Sequence, residues 1–220
     1  MNAPGLTLAL DASTSLGTVA VLRDGAVVAT REAVMRGERE ERLMPAVLAA
    51  LADANAVPRD VSRVVCGAGP GAFTSLRIAA GIAKGIAQGA GVPLFAVSSL
   101  ALVVAGAAPG LPPGRYVATL DAMRGECYAQ AIVLHADGTA RTDGEQSLVS
   151  LAQLASAGAH VVGPLETTPR FPHARGVAAL LVACIAEGPA DLDAWEPSYG
   201  RLAEAQVKWE AALGRPLAGG

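Results

Sequence analysis

The chain has 220 residues, of which 52% are hydrophobic and 17% charged, and its formal net charge is −3 at pH 7. A chain of this length buries roughly 70% of its unfolded surface, and this much hydrophobic content with so few charges excludes an intrinsically disordered protein. The weak acidity also argues against direct RNA binding, which needs a clustered basic face.

The first residues predict a three-stranded meander. Apolar segments rich in β-branched residues indicate strands at Leu6 to Asp11, Thr18 to Arg23 and Ala26 to Glu32. The pair Asp24-Gly25 favours a tight hairpin turn between the second and third strands. No basic residue precedes the first apolar run, so we do not expect a secretion signal.

A helix is predicted next, from Glu38 to Ala54, because apolar residues recur at helical spacing behind a charged first turn. Pro45 fits only near its first turn or at a kink, since proline lacks the amide donor that an interior position needs. The pattern therefore leaves the start of this helix open.

A strand, a helix and another strand follow. Their predicted ranges are Arg63 to Gly67, Thr74 to Ala90 and Leu94 to Val97. A strand, helix and strand in succession imply a parallel crossover. The segment rich in proline and glycine from Pro109 to Gly114 predicts a boundary after this unit.

The opening pattern returns after that boundary. Leu10-Asp11-Ala12 is echoed by Leu120-Asp121-Ala122, and Asp24-Gly25 by Asp137-Gly138. The later elements are predicted as a helix near Leu148 to Ser156, a strand at His160 to Gly163, and helices at Gly176 to Glu187 and Arg201 to Leu213. We therefore predict an α/β chain with two related halves of mixed sheet plus helices, at residues 1–108 and 109–220.

Cysteine and histidine usage predicts neither a disulfide framework nor a metal site. The cysteines are odd in number and far apart, which is typical of buried free thiols: Cys66, Cys127 and Cys184. The histidines form no His-x-x-x-His pair: His135, His160 and His173. No apolar stretch reaches the roughly 20 residues that span a bilayer, so we expect a cytoplasmic protein without a membrane partner.

A glycine-rich loop joins the fourth strand to the second helix. It contains Gly67, Gly69, Pro70, Gly71, Phe73 and Thr74. Backbone amides at such a junction can bind an anion, but the spacing matches neither a phosphate loop nor a dinucleotide fingerprint. The alternative is that the glycines allow close packing while Thr74 caps the helix.

Glycines recur every four residues along the second predicted helix, at Gly81, Gly85 and Gly89. Each costs about 0.8 to 1 kcal/mol relative to alanine in a helix interior, so their presence needs an explanation. Missing side chains let another backbone approach closely. The partner is either internal, namely the helix with Val47 and Leu51, or another subunit.

Asp11 and Asp121 end the first strand of each half. Two carboxylates across a cleft would suit phosphoryl transfer, which also needs backbone that approaches phosphate closely. Ser13 and Met123 stand two residues later, where that close approach favours glycine. We interpret both aspartates as turn-capping residues in degenerate phosphate loops.

Five segments together resemble the TsaB (YeaZ) family. They are Leu8 to Thr14, Gly67 to Ile78, Val97 to Leu100, Asp121 to Tyr128 and Pro197 to Arg201. The resemblance covers nearly the whole chain. It implies the duplicated actin/Hsp70/sugar-kinase-like (ribonuclease H-like) fold, which is consistent with the two halves predicted above.

The resemblance implies a role in making threonylcarbamoyladenosine next to the anticodon of tRNA. In this family the catalytic paralogue TsaD transfers the threonylcarbamoyl group from an adenylate made by TsaC, and its histidines hold a metal. The corresponding stretch here, from Val97 to Leu100, contains no histidine. The expected protein is a non-catalytic subunit with no cofactor and no catalytic residue of its own.

The resemblance also implies the binding surface for partners. In TsaB-like proteins the first two helices form the interface with TsaD, or with a second copy when TsaD is absent. The matching positions here are Leu43, Val47, Leu51, Arg77, Gly81, Gly85 and Gly89. The ATPase TsaE would join a larger complex, and tRNA would be contacted only through that complex.

Two other functions are consistent with the motifs. One is an independent enzyme, either an actin-like ATP-binding phosphotransferase or a metalloprotease-like hydrolase. The other is a small-molecule module that binds nucleotide through the glycine-rich loop. Turnover by the isolated chain would favour the first, and stabilisation by ATP or ADP the second.

Overall fold

The computed structural model describes residues 5–37, 40–108, 110–156 and 160–200. Its strands form two five-stranded mixed sheets, and five α-helices pack on them. The strands are β1 Leu6–Asp11, β2 Leu16–Arg23, β3 Ala26–Val34, β4 Arg63–Gly67, β5 Leu94–Val97, β6 Gly114–Asp121, β7 Glu126–Leu134, β8 Ala140–Thr142, β9 Ser147–Ser150 and β10 Val161–Val162. The helices are α1 Leu43–Asp53, α2 Phe73–Ala90, α3 Ser99–Ala107, α4 Leu151–Ser156 and α5 Val177–Glu187.

The two sheets share a strand order. The first runs β3-β2-β1-β4-β5, and the second runs β8-β7-β6-β10, with β9 also paired to β7. In each, an antiparallel meander is followed by a strand parallel to the first strand of the meander. This repetition confirms the predicted α/β fold class with two related halves of mixed sheet plus helices. We propose that the two halves meet between residues 108 and 109.

The hairpin that closes β2 onto β3 follows from its two turn residues. Asp24 and Gly25 have φ angles of 51° and 85°, and Arg23 pairs directly with Ala26. A two-residue turn with both φ angles positive matches the right-handed twist of the flanking strands. The predicted meander is therefore confirmed.

Helix α1 begins later than its sequence pattern predicts, at Leu43 rather than Glu38. The carboxylate of Glu41 accepts hydrogen bonds from the amide of Leu43 and from that of Met44 at 3.0 Å. Pro45 is then the third helical residue, where its missing amide has no intrahelical partner to lose. The start is thus set by Glu41, and the Pro45 prediction is confirmed.

The second half departs from its predicted elements at one point. Residues 147–150 form β9 because Leu148 pairs with Tyr128 of β7, so only Leu151–Ser156 is helical in the segment expected to be one helix. The expected helix at α5 is confirmed. The helix predicted from Arg201 to Leu213 lies outside the described residues.

Two hydrophobic clusters hold the layers together. One lies between the first sheet and helices α1 and α2. The other joins both sheets through α3 and α5, with Leu22, Leu102, Ile132 and Leu181 among its members. All eight residues from Ser99 to Gly106 are buried, so α3 is a central helix between the two sheets. The cysteines are buried and free, as predicted.

Candidate functional site

Asp11, at the end of β1, lies at the centre of a closed polar cluster. Its side chain is wholly buried. One carboxylate oxygen accepts hydrogen bonds from the Ser13 amide at 3.0 Å and the Ser13 hydroxyl at 2.7 Å. The other accepts from the hydroxyl of Ser99. Burial raises the pKa of Asp11, although these hydrogen bonds oppose the shift.

The glycine-rich loop packs directly against this cluster. A Cβ on Gly67 would overlap the Asp11 carboxylate, and one on Gly71 would overlap the Ser13 backbone. Ser99 connects the parts, because its hydroxyl also accepts from the Gly69 amide at 3.0 Å. The loop therefore packs against the turn between β1 and β2. Of the two interpretations of its glycines, anion binding and close packing, the geometry favours close packing.

The remaining loop residues lead into α2. Pro70 follows Gly69 through a cis peptide bond. Ala72 is the N-cap of α2 and Phe73 its first residue, so the prediction that Thr74 caps the helix is wrong. The Ala72 amide donates to the Ser13 carbonyl at 2.8 Å, which fixes the start of α2 against the β1 to β2 turn.

Asp121 is in a different environment from Asp11. It is exposed at the end of β6, and its carboxylate accepts from the Met123 amide at 2.8 Å. Met123 and Arg124 continue the turn with φ angles of 65° and 60°. The interpretation of both aspartates as turn-capping residues is confirmed. Of the three predicted phosphate-loop positions Asp11, Ser13 and Asp121, the first two lie with Ser99 and the glycine-rich loop in one cluster, and Asp121 does not.

The three glycines of α2 form an open surface. A Cβ at Gly81, Gly85 or Gly89 would meet no atom within 4 Å. Of the two alternatives left open by the sequence, close packing of these glycines against α1 within the chain is therefore not found. They lie in a groove of about 470 Å³ whose other lining residues are mostly apolar: Met44, Pro58, Arg59, Ile82, Ile86 and Ala90. We call this groove the glycine surface.

Helix α1 turns a different face to the outside than the resemblance implies. Leu43, Val47 and Leu51 are wholly buried in the core, so their assignment to a subunit interface needs correction. The α1 side chain that lines the groove is instead Met44, and Leu48, one turn further along α1, is 46% exposed. The buried three hold α1 in place.

Arg77 lies on the exposed side of α2, as the interface prediction requires. Its guanidinium carbon is 5.4 Å from the ring centroid of Phe73, a cation–π distance. Phe73 itself is 40% exposed. The first turn of α2 therefore presents an aromatic and a cationic group beside the glycine surface.

Ser99 is a member of the Asp11 cluster that the sequence pattern does not single out. Its neighbour Ser98 is the N-cap of α3, and the Ser98 hydroxyl accepts from the Ala101 amide. Ser99 instead donates to Asp11, 88 residues away in the chain. No local pattern signals such a contact, because it depends on β5 lying two strands from β1.

The described residues hold neither a metal-binding cluster nor a membrane-spanning helix. Within residues 5–37, 40–108, 110–156 and 160–200, no three His, Cys, Asp or Glu side chains come together as a candidate metal site. In the same ranges, no helix is both long and apolar enough to cross a bilayer.

Comparison with known proteins places these features in a family. Residues 34–165 match the family model described as TsaD, tRNA N6-adenosine threonylcarbamoyltransferase. The Escherichia coli K12 protein named tRNA threonylcarbamoyladenosine biosynthesis protein TsaB is 38% identical over 121 residues, covering 55% of this chain and 52% of the relative. The Bacillus subtilis 168 protein of the same name is 35% identical over 126 residues, with the same shares covered. The chain spans about half the length of the curated relatives it matches.

A solved structure is similar over a longer range. The structure described as YeaZ from Pseudomonas aeruginosa superposes with a TM-score of 0.76 and is 28% identical. The superposition covers 89% of this chain and 99% of that one. The likeness therefore extends over most of this chain and nearly all of that one.

Proposed function

The chain belongs to the TsaB/YeaZ family, and we propose that it is a non-catalytic subunit in tRNA threonylcarbamoyladenosine biosynthesis. In this proposal it binds the catalytic paralogue TsaD through the glycine surface and stabilises the active state of TsaD. The chemistry takes place on TsaD.

The closed cluster at Asp11 supports the non-catalytic part of the proposal. A phosphate held at the first turn would need exposed amides and a reachable carboxylate. Here Asp11 is wholly buried, and its two oxygens already accept three hydrogen bonds from Ser13 and Ser99. The glycine-rich loop occupies the adjoining space.

The glycine surface carries the binding part of the proposal. Three helix-interior glycines weaken α2 without any packing gain inside the chain, since nothing lies within 4 Å of a Cβ placed on them. That cost is explained if a partner helix lies against them. The groove is apolar and bordered by Met44, Ile82 and Ile86, as a helix-binding surface would be.

The glycine surface would also bind a second copy of the chain, whereas the other proposed partners would join only the assembled complex. A second copy of the chain would occupy the glycine surface when TsaD is absent, because each copy offers the same close-approach face. TsaE would bind the assembled heterodimer, and tRNA would reach this chain only within that complex. Such a role would place the protein in the cytoplasm, where tRNA is modified.

The proposal is tested by light scattering of the chain mixed with TsaD. Gly85→Leu places a side chain in the groove, and leucine is a better helix former than glycine, so α2 stays folded. Ala178→Leu adds comparable bulk at an exposed position of α5 and serves as the control. We expect a heterodimer with the wild type and with Ala178→Leu, and none with Gly85→Leu.

Two results would contradict the proposal. If the wild-type chain forms no complex with TsaD, the subunit role is wrong. If Gly85→Leu binds as tightly as the wild type, the role stands but the surface has been assigned to the wrong helix.

A further inference from the structure

Residues 196–200, which we call the strap, lie between the glycine-rich loop and the second sheet. The amide of Ser198 donates to the carbonyl of Ala68, just after β4, at 2.7 Å. The hydroxyl of the same residue accepts from the side-chain amide of Gln146, just before β9, at 3.0 Å. One strap residue is therefore bonded to both halves of the fold.

Two glycines, one in the glycine-rich loop and one at the end of the strap, permit this close fit. A Cβ on Gly69 would overlap the Ser198 carbonyl, and a Cβ on Gly200 would overlap the ring of Tyr128. Both glycines have positive φ angles, 86° and 74°. The strap backbone therefore packs against the backbone of the glycine-rich loop at Ser198 and against the ring of Tyr128 at Gly200.

The strap also reaches α2, the helix that carries the glycine surface. The ring of Tyr199 lies 4.5 Å from that of Phe73, centroid to centroid. Arg77 lies over the same Phe73 ring. Just before the strap, the ring of Trp195 lies 5.9 Å from the ammonium nitrogen of Lys84, beside Gly85. Two aromatic contacts therefore join this segment of the chain to α2.

Helix α2 depends on such contacts for its order. No side chain caps its N-terminus, and its interior contains three exposed glycines of poor helix propensity. A helix with these weaknesses takes its stability from tertiary packing. The Tyr199 ring supplies that packing at the first turn.

We propose that Tyr199 is a positioning residue for partner binding, acting through Phe73 to hold α2 in the orientation that a TsaD-like partner recognises. The inference rests on the proposed function. Seating of the strap and binding of the partner are then coupled, and by linkage each strengthens the other by the same factor.

Calorimetric titration with TsaD tests the coupling. We expect Tyr199→Ala to weaken TsaD binding about tenfold, within the usual range of coupling between sites. Tyr199→Phe loses only the hydroxyl and keeps the ring, so it should bind within about twofold of the wild type if the ring contact carries the effect. In a Phe73→Ala background, Tyr199→Ala should have little further effect, because the two rings act as one pair.

The outcomes separate the strap from the proposed function. Equal affinity of the wild type and Tyr199→Ala would overturn the strap inference and leave the subunit role intact. Losses that multiply in the double variant would overturn the route through Phe73. A wild-type chain that fails to bind TsaD would overturn both. Circular dichroism checks the fold, and Tyr199→Leu, which keeps bulk without a ring, replaces Tyr199→Ala if that variant unfolds.

Discussion

Replacing the glycines of α2 should raise the free energy of unfolding of the chain and weaken its binding to TsaD. Replacing Gly81, Gly85 and Gly89 together by alanine adds three methyl groups that meet nothing within 4 Å. None of the three has a positive φ, so alanine fits the backbone without strain. The isolated chain should become more stable, because alanine is the better residue in a helix interior.

The size of the gain follows from helix propensity. Each replacement is worth about 0.8 to 1 kcal/mol, so the triple variant should gain about 2 to 3 kcal/mol of unfolding free energy. For a chain of this length that corresponds to a rise in Tm of roughly 5 to 10 °C. The same methyl groups occupy the close-approach face, so binding to TsaD should weaken.

Urea unfolding followed by circular dichroism measures the gain, at a concentration where the chain is monomeric. Gly106→Ala is the matched control, since Gly106 is also a helical glycine but its Cβ would lie 3.1 Å from the Cβ and carbonyl oxygen of His173. That variant should gain nothing or lose stability. A triple variant less stable than the wild type would refute the reasoning, because it would mean that the glycines are packed within the chain.

Three further predictions concern the buried polar groups and the loop. Burial, with a smaller contribution from Arg175, lowers the pKa of His173 to about 4. The free energy of unfolding should therefore be greatest above pH 6.5, the ordinary pKa of histidine, and fall by about 2 to 3 kcal/mol as the pH drops from 6.5 to 4. Urea titrations of His173→Asn should show no such loss. The raised pKa of Asp11 has the opposite sign: the stability of the wild type relative to Asp11→Asn should be greatest below pH 3.8 and decline as the pH rises through the raised pKa. Gly69→Ala should lower Tm by several degrees, because its Cβ would overlap the Ser198 carbonyl at a positive φ; an unchanged Tm would contradict that packing.

Local features of the fold could be predicted from the sequence because nearby residues determine them. Asp24 and Gly25 specify their hairpin by their own backbone preferences, and Pro45 specifies the first turn of α1. The echo of Asp11 by Asp121 correctly indicated a duplicated sheet order. The signals for the hairpin and for the first turn of α1 each lie within a few residues of the structure that they determine.

Tertiary contacts decided the features that sequence reasoning missed. Leu148 belongs to a strand because Tyr128 pairs with it, not because of its own neighbours. The buried face of α1 could be placed only once the sheet beneath it was known. Whether the α2 glycines faced inward or outward was likewise undecided by their spacing, which is the same in both cases. Ser99 could not be connected to Asp11 without the β1, β4 and β5 arrangement.

The most direct test of the central claim is the threonylcarbamoyladenosine content of tRNA in cells depleted of the native chain. Measured by mass spectrometry of tRNA nucleosides, the modification should return when the wild type or Ala178→Leu is supplied. Gly85→Leu should leave it absent although the variant accumulates as a folded protein. Full restoration by Gly85→Leu, or no restoration by the wild type, would contradict the account of a subunit that acts on TsaD through the glycine surface.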